Sequence, residues 1–85
     1  MKDVQFTPTA HKQLQEWLKS EKRIYQHIDE LIKAIQDSPF KGIGKPEPLK
    51  HQFKGYWSRR ITKEHRLVYK VTADSIIVVS CKYHY

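Results

Sequence analysis

Cysteine is nearly missing from these 85 residues: Cys81 stands alone, so no internal disulfide can form and nothing points to an oxidising compartment. Any run of about 18 apolar residues able to span a bilayer is missing too. The opening Met1-Lys2-Asp3-Val4 lacks the apolar core of a secretion signal. A soluble, cytoplasmic protein with no membrane attachment is expected. Glycine is scarce, and Gly42-Ile43-Gly44 precedes strands rather than opening a helix, so it lacks the rest of a phosphate-cradle fingerprint. His11, His27, His51 and His65 have neither the close pairing nor the cysteine company of a zinc site. Neither a cofactor nor a metal is expected.

What is present is enough apolar material for one core, 39% hydrophobic with 12% aromatic residues, in a chain that supports a single domain over residues 1–85. Charge is abundant but uneven. Residues 1–40 hold six basic and six acidic side chains, whereas residues 41–85 hold ten against three, so the whole net charge of +7 belongs to the second half. A polyanionic partner is the natural complement, because each Lys or Arg set against a phosphate releases condensed counterions. Charge alone does not separate RNA, DNA and an acidic protein.

Val4 and Phe6 alternate with polar neighbours and suggest a short strand; Thr7-Pro8 then offers an N-cap hydroxyl and a proline suited to the first helical position. Ala10, Leu14, Trp17 and Leu18 fall at helical spacing, and Ile24, Ile28, Leu31, Ile32 and Ile35 repeat it after a break at Ser20-Glu21. Two amphipathic helices are predicted, ending near Ser38-Pro39. Residues 40–48 hold two glycines and two prolines and read as a loop. Strands follow around 49–53, 56–62, 66–72 and 76–85, joined by breaks short enough for an antiparallel meander.

Alternation assigns faces to these strands. Trp57, Ile61, Leu67, Tyr69, Val71, Ile77, Val79 and Cys81 form an apolar set, with Tyr83 on the same core side. Ser58, Arg60, Arg66, Lys70, Ser80, Lys82 and His84 form the opposite one. The apolar set is the partner the helices need. The expected fold is α+β, two N-terminal amphipathic helices on one face of a mainly antiparallel sheet, with a basic face left open.

Cleaving RNA with its own 2′-hydroxyl requires a base for that proton, cations for the charge growing on phosphate, and an acid for the departing 5′-oxygen. Glu47 is a candidate base, restrained between Pro46 and Pro48; Arg66, Lys50 and Arg60 are candidate cations; His84 is a candidate acid, with Tyr85 ending the chain. Each has a plainer reading. A lone loop Glu is usually just solvated, strand arginines are usually surface charge, and a penultimate histidine usually frays. His84, however, follows a strand-like run and is flanked by Tyr83 and Tyr85.

Pro46-Glu47-Pro48-Leu49-Lys50-His51, Gly55-Tyr56-Trp57-Ser58-Arg59-Arg60-Ile61-Thr62, Glu64-His65-Arg66-Leu67-Val68-Tyr69 and Cys81-Lys82-Tyr83-His84-Tyr85 together resemble the YoeB (Txe/YoeB) toxins. The likeness extends through Lys22-Arg23-Ile24 and Glu30-Leu31-Ile32-Lys33. It implies a RelE/ParE-superfamily fold and metal-independent cutting of messenger RNA in the ribosomal A site. By position it implies Glu47 as general base, Arg66 as transition-state cation, His84 as general acid, Tyr85 completing the site, and Lys50 and Arg60 near the RNA. It also implies an acidic antitoxin of the YefM type and homodimers. Two other readings fit the same fold: a non-catalytic, ParE-like gyrase inhibitor, which has no chemical use for Glu47, Arg66, His84 and Tyr85 together, and a general basic nucleic-acid-binding module.

Overall fold

The computed structural model describes residues 2–83. Strand β1 (Asp3–Phe6) runs into helix α1 (Pro8–Ser20), whose start is fixed by Thr7: its hydroxyl accepts the Ala10 N–H at 3.2 Å, and Pro8 takes the first position. Helix α2 (Lys22–Asp37) begins after a one-residue break at Glu21, which leaves the helical conformation (φ −149°, ψ 88°) and donates its N–H to the Trp17 carbonyl. Ile28, Leu31 and Ile35 recur at one face of α2 and are fully buried. At about 1.5–3 kcal/mol for each such side chain, packing rather than intrinsic propensity holds this helix.

The remaining strands are β2 (Glu47–Pro48), β3 (Trp57–Arg60), β4 (Arg66–Val71) and β5 (Ser75–Ser80), in the sheet order β1-β5-β4-β3-β2. All neighbours are antiparallel except β1, which pairs parallel to β5. Both helices cover one face. The core joins Ala10, Trp17, Ile28, Leu31 and Ile35 to Ile61, Leu67, Tyr69, Ile76, Val78 and Cys81 of the sheet side. The α+β arrangement is the expected one.

Two local expectations are overturned. The strand expected at 49–53 is instead a 3-10 turn, His51–Phe53, entered through a left-handed His51 (φ 57°). Pairing stops after Pro48, on the outermost strand, where a residue with no N–H removes no interior ladder bond. In β5 the core-facing residues are Ile76 and Val78, not Ile77 and Val79. Val68 pairs with Ser80 while Tyr69 pairs with Val78, so Val79 is an extra residue, a β-bulge. The bulge resets the alternation, and Cys81 returns to the core as expected.

The loop before β2 is closed by a tight backbone approach. Gly44, at φ +84°, accepts the Arg60 N–H at 2.7 Å. An added Cβ would stand 2.9 Å from Leu31 Cδ2 and 3.1 Å from Arg59 Cβ. Gly44→Ala is therefore expected to destabilise the fold by about 2 kcal/mol. Gly55, also left-handed but with open space around it, supplies the comparison. Equal losses for Gly44→Ala and Gly55→Ala in denaturant unfolding would show that the close approach contributes nothing.

Candidate active site

Strand register places the basic residues. Glu47 pairs with Ser58, Ser58 with Val68, and Val68 with Ser80, which makes one row on the sheet face away from the helices, its middle members Ser58 and Val68 buried. Two residues further along β3, Arg60 pairs with Arg66 in a second row on that face. From strand spacings, the Cα atoms of Glu47 and Arg66 are on the order of 12 Å apart, a span that a carboxylate and a guanidinium can close around one phosphate. Glu47 is exposed, and among the described residues nothing is hydrogen-bonded or ion-paired to its carboxylate. Lys50 and Arg60 are likewise exposed, with side chains free of described partners. Glu47 and Lys50 share the wall of an open groove of about 530 Å3 formed by residues 47–53.

Arg66 is half-buried, and its Nη1 donates to the carbonyls of Thr62, Lys63 and His65, all in the β3–β4 turn. This braces the guanidinium against its own hairpin. The Arg66 backbone N–H bonds the Tyr83 carbonyl at 3.1 Å, so the end of the described chain lies beside it. His84 and Tyr85 lie outside the described residues.

The segment leading to those two residues is fastened by α1. Gln13 Oε1 accepts the Cys81 N–H at 2.8 Å, and Trp17 Nε1 donates to the Cys81 carbonyl at 2.8 Å. Lys82 pairs with Glu16 and lies over the Trp17 and Tyr83 rings. Tyr83 itself is exposed (62%) rather than on the core side: after the bulge, the backbone turns again at Tyr83, with φ +64°. Cys81 is fully buried, and desolvation pushes its thiol up to about 12, so it is an inert core residue.

One functional arginine escaped sequence reasoning. Arg59 lies on the helix-facing side of β3, 0% exposed, and serves the loop that delivers Glu47. Its Nη2 donates to the carbonyls of Ser38 (2.6 Å) and Lys41 (3.0 Å), its Nη1 to that of Ile43 (3.0 Å), and its Nε to the Tyr69 hydroxyl (3.2 Å). Tyr69 in turn donates to the Pro39 carbonyl at 2.7 Å. Burial raises the Tyr69 pKa against the pull of Arg59, so this hydroxyl stays a neutral donor. The available signal was strict alternation: Trp57 and Ile61 point inward, and Arg59 lies between them with the same parity.

Residues 6–85 match the family described as the YoeB-like toxin of bacterial type II toxin–antitoxin systems. A curated relative, Toxin YoeB of Escherichia coli strain K12, is 59% identical over 69 residues, covering 81% of this chain and 82% of that one. The structure of a YoeB dimer from Staphylococcus aureus superposes with a TM-score of 0.93 at 44% identity, over 99% of this chain and 98% of the other. A YoeB-YefM complex from the same organism gives 0.91 at 43% identity, over 100% and 99%.

Proposed function

This chain belongs to the family of YoeB-like toxins of bacterial type II toxin–antitoxin systems, and on that footing we propose that it is a ribosome-dependent, metal-independent messenger-RNA endonuclease acting in the A site. The observation that supports the reading is the shared face of Glu47, Arg60 and Arg66: a carboxylate with no partner among the described residues and two guanidinium groups on neighbouring strands of one sheet. Glu47 takes the proton of a 2′-hydroxyl. The freed oxygen bonds the adjacent phosphorus, and the bond to the 5′-oxygen breaks. His84 returns a proton to that leaving oxygen, Arg66 stabilises the charge on phosphorus, and Tyr85 completes the site. Lys50 and Arg60 hold neighbouring phosphates.

The same basic face suits an acidic antitoxin, as the YefM-bound Staphylococcus aureus relative suggests, so antitoxin and ribosome compete for it. Self-association follows the dimeric relative. A ribosomal substrate places the action in the bacterial cytoplasm.

The test is end chemistry. With programmed ribosomes, the purified chain is expected to cut within the A-site codon and leave a 2′,3′-cyclic phosphate and a 5′-hydroxyl. Fragments carrying a 5′-phosphate, or equal cutting of the free message, would overturn the proposal.

A further inference from the structure

His65 carries no role in the chemistry above, yet its ring is held by a hydrogen bond at Nδ1 and by two aromatic neighbours. Its Nδ1 accepts the Tyr83 N–H at 2.7 Å. A backbone N–H can only donate, so Nδ1 is the bare nitrogen and the ring proton sits on Nε2. The ring stands edge-on to Trp17, with centroids 4.8 Å apart, and lies 5.6 Å from the Tyr83 ring. Its backbone is held as firmly: the Thr62 hydroxyl accepts the His65 N–H, and the N–H groups of Ile61 and Thr62 meet the His65 carbonyl.

Tyr83 is thus gripped at both backbone groups by consecutive residues, its N–H by His65 and its carbonyl by Arg66. It also holds a left-handed backbone, a conformation that a tyrosine keeps only where contacts impose it. Directly beyond it in the sequence come His84 and Tyr85.

The geometry points to His65 as a positioning residue: a neutral imidazole that latches Tyr83 beside Arg66 and so sets where the C-terminal pair enters the site. The inference rests on the catalytic reading of His84 and Tyr85. The latch depends on an acceptor at one point, which Trp17 fixes by packing against the ring.

Two substitutions separate the acceptor from the packing. His65→Leu keeps apolar bulk and removes the acceptor; His65→Asn keeps an acceptor oxygen near the Nδ1 position and loses the ring. His65→Leu is expected to speed Tyr83 amide exchange and slow single-turnover cleavage about tenfold, the equivalent of one net hydrogen bond. Ribosome affinity and the exchange of Ile76 and Val78 amides should stay as in the parent, which reports an intact fold. His65→Asn should recover most of the rate and of the Tyr83 protection.

The latch is refuted if Tyr83 exchanges alike in parent and His65→Leu, or if His65→Asn is as impaired as His65→Leu. It is also refuted if Tyr83 is released while cleavage proceeds at the parental rate. A parent that fails to cut programmed ribosomes at all overturns the catalytic reading instead, and the Tyr83 exchange data still decide whether the latch exists.

Discussion

Replacing Glu47 by glutamine is expected to slow the cleavage step by about 10²–10⁴-fold, the usual worth of a positioned general base. The substitution is nearly isosteric at an exposed position, and no described group relies on the carboxylate. Folding should therefore be untouched. The short β2 ladder to Ser58 is a backbone feature and survives the change, so the side chain at position 47 is presented as before. The measurement is single-turnover cleavage on programmed ribosomes at saturating protein, which separates chemistry from binding. A rate within a few-fold of the parent would remove Glu47 from the mechanism and leave it a solvated edge residue.

The largest effect on stability is expected at Arg59. Its charge is buried with no carboxylate partner among the described residues, and three loop carbonyls with one phenol take the place of a counter-ion. Arg59→Met keeps much of the stem and removes every donor. Some of the abandoned carbonyls lie near the surface and regain water, so the loss is expected at about 4 kcal/mol rather than the full sum of unsatisfied groups. For a domain of this size that is a fall in Tm of roughly 16–32 °C. Lysine cannot restore the fork, since one ammonium on a flexible stem does not reach carbonyls on both sides. A melting point within a few degrees of the parent would mean that the loop holds itself.

The helices were legible because Thr7-Pro8 and the isoleucine spacing of α2 are local signals that the tertiary packing then follows. Arg60 and Arg66 were placed on one face by alternation over uninterrupted strands, whereas Glu47 read as part of a loop, because a two-residue edge strand between prolines carries no alternation of its own. Alternation failed in β5, where a single extra residue at Val79 shifts the pattern and no residue type announces it. Arg59 was left off both faces, although its parity with Trp57 and Ile61 sets it inward. The parallel partner of β1 could not be read either, because pairing between residues more than 70 positions apart leaves no mark on local composition. His65 was passed over since its value depends on a backbone group eighteen residues away.

The last strand of the sequence is not at the edge of the sheet: β5 lies between β1 and β4. Thr7 bonds the backbone at Val78 and Val79, and Gln13 and Trp17 bond that of Cys81, so β1 has no strand to pair with, and α1 lacks its hydrogen bonds to the sheet, until those residues exist. A growing chain can form helical turns early, but the five-stranded sheet must wait for β5. A truncated product would present unpaired strands in place of an assembled site. The face shared by Glu47, Arg60 and Arg66 belongs to a sheet that is completed only when β5 is in place between β1 and β4.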